Sequence, residues 1–308
     1  MCRPLLPGSP QAYGRERHEP IATANRHVSY PGHGTFAYAW RLRATRPPMD
    51  SNCMSEQPAT LLSVERQDHL LILRMQRSAK RNAIDRALAD AIDAALNTLE
   101  DDPTLWAGVL TGDGSIFSAG SDLRANGDYV TERGGEYGVI RRQRTKPLIA
   151  AVEGAALGGG MEIVLACDLV VASTNARFGL PEVCIGVIPT CAGLFRAPNA
   201  LPLNLARELI LTGDPIDAQR AYHAGLVNRL VEPGEALPEA IRLAERILRN
   251  APLSVQNCLR SVNDFVAASD ADGWQLTQRA LAGITGSHDQ REGVRSFLEK
   301  RPPEWQGR

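Results

Sequence analysis

The spacing of apolar side chains becomes regular at about Thr60. Before that point, no period of 2 or 3.6 residues lasts beyond a few positions. After it, the apolar runs Leu61–Glu65 and Leu70–Met75 predict two strands of a hairpin that turns at Gln67 and Asp68. The folded part of the chain is therefore expected to begin near residue 60.

From residue 84 the pattern alternates between helical spacing and short apolar runs. Ile84, Leu88, Ile92, Leu96 and Leu99 predict one face of a helix, with Asp85 near its N-terminus. Further predicted strands are Trp106–Thr111, Ser115–Ala119, Leu148–Val152 and Asp168–Ala172, and further predicted helices are residues 137–144, 161–166 and 218–224. Beyond Leu237 the pattern is almost entirely helical. An α/β body followed by a helical C-terminal region is expected.

Residues 1–53 differ in composition from the rest. They hold seven of the 20 prolines and three of the six histidines, and seven arginines against three acidic residues give them a charge of +4. Such a segment buries too little apolar surface to offset the entropy of ordering. Three hypotheses remain open: translation from Met54, a disordered tail, or an arginine-rich transit peptide. We expect a catalytic core over residues 54–250 and a helical region over 251–308.

Composition excludes several classes of protein. With 34 basic and 35 acidic residues, the net charge of −1 gives no attraction to nucleic acid or to an anionic membrane. The most apolar stretch, residues 148–172, contains Glu153, Glu162 and Asp168, so it does not predict a transmembrane helix. Six dispersed cysteines without a CxxC pair argue against structural zinc and a disulfide framework. We expect reduced thiols, a cytoplasmic location and no bound metal.

Two glycine-containing segments are candidates for chemistry. Phe117–Leu123 is an apolar strand that ends in small residues, where a glycine permits a sharp turn with exposed N–H groups. In Gly154–Glu162, three consecutive glycines precede a helix, so free N–H groups and the positive end of its dipole favour an oxyanion. The run does not match GxGxxG, which excludes a dinucleotide fingerprint. Simple turns and close packing are the alternative interpretations.

Two acidic residues, one at the end of this second segment and one 20 positions later, are further candidates for chemistry. Glu162 lies in the first turn of the predicted helix, and Glu182 follows Pro181 in largely apolar surroundings. The chain between them predicts one helix and one strand, a length that can fold back and bring both carboxyls to one site. Two carboxyls facing each other in a partly apolar pocket cannot both ionise easily, so one keeps its proton near neutral pH. Such a pair can add or remove water.

Taken together, these segments resemble the crotonase (enoyl-CoA hydratase/isomerase) superfamily. The resemblance covers roughly residues 60–308 and depends on the order and spacing of several modest motifs. These motifs are Phe117–Leu123, Gly154–Glu162, Asp168–Ala172, Phe178–Pro189, Leu211–Gly213, Gly225–Val227 and Phe297–Arg301. It implies a ClpP/crotonase-like spiral of ββα units whose helical C-terminal region forms a homotrimer or a dimer of trimers.

The resemblance also implies roles for individual residues. Glu162 and Glu182 fall on the two positions of the hydratase glutamate pair. The backbone N–H groups of Ser121 and Gly159 match the oxyanion hole for the thioester oxygen. Other positions are implied to contact the substrate or its coenzyme A: Ala119, Asp122, Arg81, Arg124, Thr190, Phe297 and Lys300. Coenzyme A is then part of the substrate, and no separate cofactor is expected.

The implied reaction is the reversible syn hydration of a 2-enoyl-CoA, as in fatty-acid metabolism. Thr190 departs from the glycine that the family's hydratases usually carry after an Ile-Pro dipeptide, and the stretch Gly186–Pro198 resembles carnitinyl-CoA dehydratase. Three alternatives therefore stay open: a carnitinyl-CoA dehydratase-like hydro-lyase, an enoyl-CoA isomerase, and a catalytically silent acyl-CoA-binding trimer.

Overall fold

A computed structural model describes residues 60–125 and 129–308 of the chain. The segment 1–53 lies outside the described residues. Twelve strands in the described ranges, numbered in chain order, are β1 (Leu62–Gln67), β2 (Leu70–Met75), β3 (Ala107–Gly112), β4 (Ile116–Ser118), β5 (Val130–Thr131), β6 (Gly135–Glu136), β7 (Leu148–Val152), β8 (Ala155–Leu157), β9 (Leu169–Ser173), β10 (Arg177–Gly179), β11 (Ile216–Asp217) and β12 (Arg229–Val231).

Helices occupy much of the remaining described chain. They are α1 (Arg86–Asp101), α2 (Gly159–Ala166), α3 (Gly193–Ala200), α4 (Leu203–Thr212), α5 (Ala218–His223), α6 (Ala236–Leu248), α7 (Pro252–Ala267), α8 (Asp270–Ile284) and α9 (His288–Glu299). Two short 3₁₀ helices span Ser78–Lys80 and Pro181–Ile185. Among the described residues, none of these helices combines the length and the apolar composition needed to span a membrane.

From β3 to β10 the strands alternate between two sheets, apart from β5 and β6, which form a small two-stranded sheet of their own. The larger sheet has the order β1-β2-β3-β7-β9-β12, and the smaller one has the order β11-β10-β8-β4. β3, β7 and β9 run parallel in the first sheet, and the strands that follow each of them, β4, β8 and β10, run parallel in the second. Each β3-β4, β7-β8 and β9-β10 pair is thus one turn of a spiral. The expected ββα spiral fold is confirmed.

The central strands are buried on both faces, as parallel strands in layered folds usually are. In β7, Ile149 and Ala151 pack toward α6, while Leu148, Ala150 and Val152 belong to the larger core on the opposite face. Helix α6 presents alanines at four-residue intervals to the sheet, namely Ala236, Ala240 and Ala244. These small side chains let the helix backbone lie close to the strands.

Most local predictions are confirmed, with three corrections. α1 begins at Arg86, where the Asp85 carboxylate accepts from Leu88 N at 2.9 Å, and Ile84 instead bridges to Ser121. No helix forms over residues 137–144, because Tyr137 (φ 56°) and Gly138 (φ 76°) are left-handed and break the chain into tight turns. The segment between the two glutamates contains β10 as well as β9, one strand more than expected.

A buried ion pair holds the start of β7 beside the start of β9. Arg144 and Asp168 form a bidentate pair with side-chain exposures of only 5% and 12%, and Asp168 also accepts from Leu148 N at 2.7 Å. The guanidinium further donates to Ala166 O at 2.6 Å. Although burial opposes the charged form, Asp168 holds the pKa of Arg144 above its ordinary value.

We expect Asp168→Ala to lower the free energy of unfolding by about 3–5 kcal/mol, because it leaves a buried guanidinium without its partner. Denaturant titration followed by circular dichroism measures the change. The control is Glu208→Ala, which breaks the half-exposed Arg220–Glu208 pair and should cost far less, because solvent screens this pair. Equal losses in the two variants would contradict the importance assigned to the buried pair.

Candidate active site

The site begins where β4 ends. Ser118 is buried, and its hydroxyl donates to Asn82 O at 2.8 Å and accepts from Gly120 N at 3.1 Å. Gly120 has a φ of 87°, which a residue with a side chain rarely adopts. The main chain therefore turns sharply after the strand and presents Ser121 at its edge, as the sequence predicted.

The second glycine-rich segment lies against the first. β8 ends at Leu157, Gly158 follows with a φ of 55°, and Gly159 begins α2. A Cβ atom on Gly120 would lie 2.8 Å from Gly159 N and 2.9 Å from Leu157 O. Only a residue without a side chain permits this approach, which brings the turn at Ser121 beside the N-terminus of α2.

Two backbone donors remain unused at this junction. Within the described ranges, neither Ser121 N nor Gly159 N donates to an acceptor of the protein. Gly159 N belongs to the first turn of α2, where backbone N–H groups lack helical partners and the helix dipole is positive. An oxygen that gains negative charge would be stabilised here, which is the property of an oxyanion hole.

Glu162 is almost fully buried one turn into α2, with 2% of its surface exposed. Its Oε1 accepts from Cys191 N at 2.7 Å and from Gly193 N at 2.9 Å. Burial raises the pKa of the Glu162 carboxyl, and these two donors lower it only in part. The segment 191–193 thus holds this carboxyl at a fixed place and direction.

Glu182 lies in the 3₁₀ helix Pro181–Ile185, with Oε1 directed at Gly158. A Cβ atom on Gly158 would be 3.3 Å from this oxygen. The other oxygen, Oε2, is shielded from solvent and has no hydrogen-bond partner. Burial and the nearby Glu162 carboxyl both raise the pKa of Glu182. An unpartnered buried carboxylate oxygen is costly, and such groups in native proteins are concentrated at functional sites.

The structure brings the two glutamates together beside the two backbone donors. Gly158 connects them, because its carbonyl accepts from Glu162 N at 3.0 Å while its α-carbon faces Glu182. Two carboxyls that repel each other in a buried site retain a proton between them near neutral pH. The arrangement can therefore donate one proton and accept another next to a developing oxyanion.

Four predicted substrate-binding residues lie around the Ser121 turn. Ala119 is exposed and donates its N–H to Arg81 O at 3.0 Å, and Arg124 is exposed as well. Arg81 is also exposed and occupies a left-handed position at the end of a 3₁₀ helix. The Asp122 carboxylate is already paired with Arg77 at 2.8 Å. Contacts of these residues with coenzyme A stay predictions.

The remaining predicted contacts lie further along the chain. Thr190 is partly buried next to Cys191, and its Oγ1 lies 3.7 Å from the Cys191 sulfur. Phe297 is 55% exposed on α9, and Lys300 ends that helix in a left-handed conformation. The structure thus places Thr190 close to the residues that hold Glu162. It leaves the roles of Phe297 and Lys300 as predictions.

Two functional features were missed by the sequence reasoning, the backbone donors to Glu162 and the turn at Tyr137. Gly193 N, together with Cys191 N, positions Glu162, but a glycine that acts through its main chain carries no distinctive signal. Cys191 is buried, and burial raises its pKa well above the ordinary value, so its thiol stays protonated. Tyr137 was assigned to a helix, although the neighbouring Gly134, Gly135 and Gly138 already indicated turns.

Metal-binding groups do not converge in the described part of the chain. No group of three or more histidine, cysteine, aspartate or glutamate side chains there has the arrangement needed to hold an ion. The polar groups of the candidate site are two carboxyls and backbone donors. They are equipped for proton transfer and oxyanion stabilisation.

Comparisons with known proteins agree with this geometry. The enoyl-CoA hydratase/isomerase family model matches residues 65–308. The chain is 37% identical over 257 residues to the enoyl-CoA hydratase EchA19 of Mycobacterium tuberculosis, covering 80% of this chain and 96% of that protein. It is 34% identical to the 2,3-dehydroadipyl-CoA hydratase of Escherichia coli, covering 80% and 99% of the two chains.

Solved structures give the same result at the level of the fold. A carnitinyl-CoA dehydratase from Mycobacterium avium 104 superposes with a TM-score of 0.76 and 42% identity, covering 81% of this chain and all of that one. The matched family model spans most of the chain, and the relatives match over nearly their whole length. The chain belongs to the enoyl-CoA hydratase/isomerase family.

Proposed function

We propose that the protein is an enoyl-CoA hydratase, a hydro-lyase that adds water reversibly and syn to the double bond of a 2-enoyl-CoA. The observation that carries this proposal is the pairing of two carboxyls of raised pKa, Glu162 and Glu182, beside two unused backbone donors. The 2-enoyl-CoA hydratases among the relatives support the assignment of the reaction class.

The proposed mechanism begins at the thioester oxygen. The N–H groups of Ser121 and Gly159 donate to this oxygen and draw electron density from the conjugated double bond. Water is held between the two carboxyls and attacks the β-carbon, while the ionised glutamate takes one of its protons. The resulting enolate oxygen carries negative charge that the two donors stabilise, by about 2.7–4 kcal/mol for each donor.

Protonation of the α-carbon completes the addition. The glutamate that began in the protonated form gives its proton to the α-carbon on the same face, and the enolate returns to a thioester. The site has then exchanged one proton for another, and the product has gained one water in total. Both directions use the same groups, and which glutamate is acid and which is base belongs to the coupled pair.

Charged and aromatic side chains around the site would bind the coenzyme A part of the substrate. We assign the phosphates to Arg81 and Arg124, which are exposed near the Ser121 turn, and we place Ala119 and Asp122 along the pantetheine path. Phe297 and Lys300 would contact coenzyme A from α9, in the family often across a subunit boundary.

Assembly and location form part of the same proposal. Exposed apolar side chains on α7 and α8, namely Leu253, Val262, Phe265, Val266 and Leu276, support a homotrimer or a dimer of trimers. The four cysteines in the described ranges are free thiols, which is typical of a cytoplasmic protein. Sedimentation equilibrium of the full chain distinguishes trimer, hexamer and monomer.

A carnitinyl-CoA dehydratase-like activity is the second candidate. It is favoured by Thr190, whose hydroxyl adjoins the segment that holds Glu162, and by the similarity to the Mycobacterium avium protein. The oxygen of a hydroxyl at this position can stabilise a cationic acyl group such as trimethylammonium through its dipole. An alkyl chain gains no such interaction.

We expect Glu162→Gln and Glu182→Gln each to lower kcat for hydration of crotonyl-CoA by about 10²–10⁴-fold, because each removes one positioned proton-transfer group. Loss of the near-ultraviolet absorbance of the conjugated thioester measures the rate. Glu245→Gln, at an exposed position on α6, is the matched control and should retain wild-type activity. Hydration that persists in either of these two variants would exclude the two-carboxyl mechanism.

If wild type isomerises a 3-enoyl-CoA without incorporating solvent oxygen, the protein is an isomerase instead.

The raised pKa values also predict how stability depends on pH. The unfolded chain ionises Glu182 near its ordinary pKa of 4.5, whereas the folded protein holds the proton to higher pH. The free energy of unfolding should therefore decrease as pH rises from the pKa of Glu182 in the unfolded chain to its pKa in the folded protein. Glu182→Gln should be more stable than wild type at mildly alkaline pH and similar at or below about pH 4.5. Denaturant titrations at both pH values test this, and a constant difference between the variants would contradict it.

Substrate preference distinguishes the enoyl-CoA hydratase from the carnitinyl-CoA dehydratase-like enzyme. Wild type is assayed with crotonyl-CoA, a longer 2-enoyl-CoA and crotonobetainyl-CoA, beside Thr190→Gly. If the Thr190 hydroxyl oxygen faces the trimethylammonium group, the glycine variant should lose about tenfold in kcat/KM for crotonobetainyl-CoA relative to crotonyl-CoA, because the oxygen dipole stabilises this cation and not a methyl group. An unchanged ratio would remove this role from Thr190. Wild type that binds all three substrates and converts none would indicate a silent binding protein.

A further inference from the structure

Tyr137 has an unusual backbone conformation for a large aromatic residue. Its φ is 56°, in the left-handed region, and only 4% of its surface is exposed. Such a conformation costs free energy in a residue with a bulky side chain, and it persists where the surrounding structure imposes it. Residues of this kind are concentrated at functional sites, so the surroundings of Tyr137 are informative.

The segment around Tyr137 is anchored to α1. A Cβ atom on Gly138 would lie 2.6 Å from Ala89 O and 2.7 Å from Asp93 N, so the main chain there rests directly on the helix backbone. Arg142 forms a buried ion pair with Asp93 at 2.5 Å and donates to Asn97 Oδ1 at 2.8 Å. These contacts fix the turn and, with it, the direction of the tyrosine ring.

The fixed ring places its hydroxyl against both sides of the proposed oxyanion hole. Tyr137 Oη lies 2.7 Å from Ser121 Oγ. On the other side, a Cβ atom on Gly159 would lie 2.5 Å from the same hydroxyl and 2.7 Å from the ring carbon that bears it. One phenol thus contacts the two residues whose backbone N–H groups would receive the thioester oxygen.

We propose that Tyr137 is a positioning residue that sets the separation and direction of the Ser121 and Gly159 N–H groups. The inference rests on the proposed function, because it takes these groups as the oxyanion hole. The hydrogen bond to Ser121 holds the first donor through its side chain, and the ring packs against the α-carbon of Gly159 beside the second. Preorganised donors stabilise an enolate more than donors that must first be aligned.

The surroundings keep the phenol available for this contact. Burial holds the pKa of Tyr137 well above its ordinary value, and the nearby Cys191 and Glu162 groups raise it further. The hydroxyl therefore stays neutral near neutral pH. A neutral phenol bonds to the Ser121 hydroxyl as donor or as acceptor without adding charge next to the enolate.

The test measures the oxyanion hole itself with acetoacetyl-CoA. This β-ketothioester forms an enolate with strong near-ultraviolet absorbance, so a pH titration of the bound ligand gives its apparent pKa. The variants are Tyr137→Phe, Ser121→Ala and the double variant, each also assayed for crotonyl-CoA hydration. Tyr222→Phe, at a 45% exposed tyrosine on α5, is the matched control.

We expect Tyr137→Phe to lower kcat about tenfold with KM nearly unchanged, and to raise the apparent pKa of bound acetoacetyl-CoA by about one unit. Ser121→Ala should give similar changes, and the double variant should be no worse than either single one, because both remove the same hydrogen bond. Thermal melting is recorded for every variant. Ser121→Ala provides the test even if Tyr137→Phe does not fold.

Two results would overturn the inference. The first is an apparent pKa of bound acetoacetyl-CoA that stays at the wild-type value in both single variants, which would leave Tyr137 as a packing residue or a contact of the acyl chain. The second is additive losses in the double variant. Failure of the proposed function differs from both, because wild type itself would then neither hydrate crotonyl-CoA nor ionise acetoacetyl-CoA.

Discussion

The active site depends on the close approach of two main-chain turns, one from each of two successive turns of the spiral. Gly120 follows β4, Gly159 begins α2, and a single methyl group on Gly120 would meet the N–H of Gly159 at 2.8 Å. Parallel pairing of β4 with β8 brings the ends of these strands together, so the two turns arrive at one place. The proposed oxyanion hole is therefore a consequence of sheet register. It requires that Gly120 has no side chain, because a Cβ atom there would block the approach of the two turns.

Burying the two carboxyls costs free energy of folding, and the same burial raises the pKa values that suit them for proton transfer. Glu162 receives two backbone hydrogen bonds and still has a raised pKa, and Glu182 leaves one buried oxygen without a partner. Satisfying that oxygen with another donor would favour the ionised form and discourage proton transfer. In contrast, Arg144 stays charged although it is buried, because its ion pair with Asp168 raises its pKa, and this pair bridges two strands. Burial therefore favours the neutral form of the carboxyl pair, whereas Arg144 stays charged despite its burial.

The sequence predicts those parts of the site that depend on local order. The glycine run before α2 correctly indicates free N–H groups, and Asp85 lies at the N-terminus of α1 as predicted, where it accepts from Leu88 N at 2.9 Å. The turn at Tyr137 was not predicted, although the glycines around it favour turns; its left-handed backbone is fixed by contacts with α1 that are distant in sequence. The donors at Cys191 and Gly193 were also missed, since a main-chain hydrogen bond is open to almost any residue type.

Helix α9 connects the C-terminal region to the segment that carries Glu182. A Cβ atom on Gly293 would lie 2.7 Å from Gly186 N and closer still to Ile185, so this helix rests on the end of the 3₁₀ helix that carries Glu182. Buried Glu292 anchors α9 to the chain that follows, through Arg301 and through the N–H of Glu304 at 3.0 Å. The position of Glu182 therefore depends on contacts made more than a hundred residues later. Because α7 and α8 expose apolar side chains next to this helix in sequence, assembly through that region would stabilise the segment on which the second carboxyl is mounted.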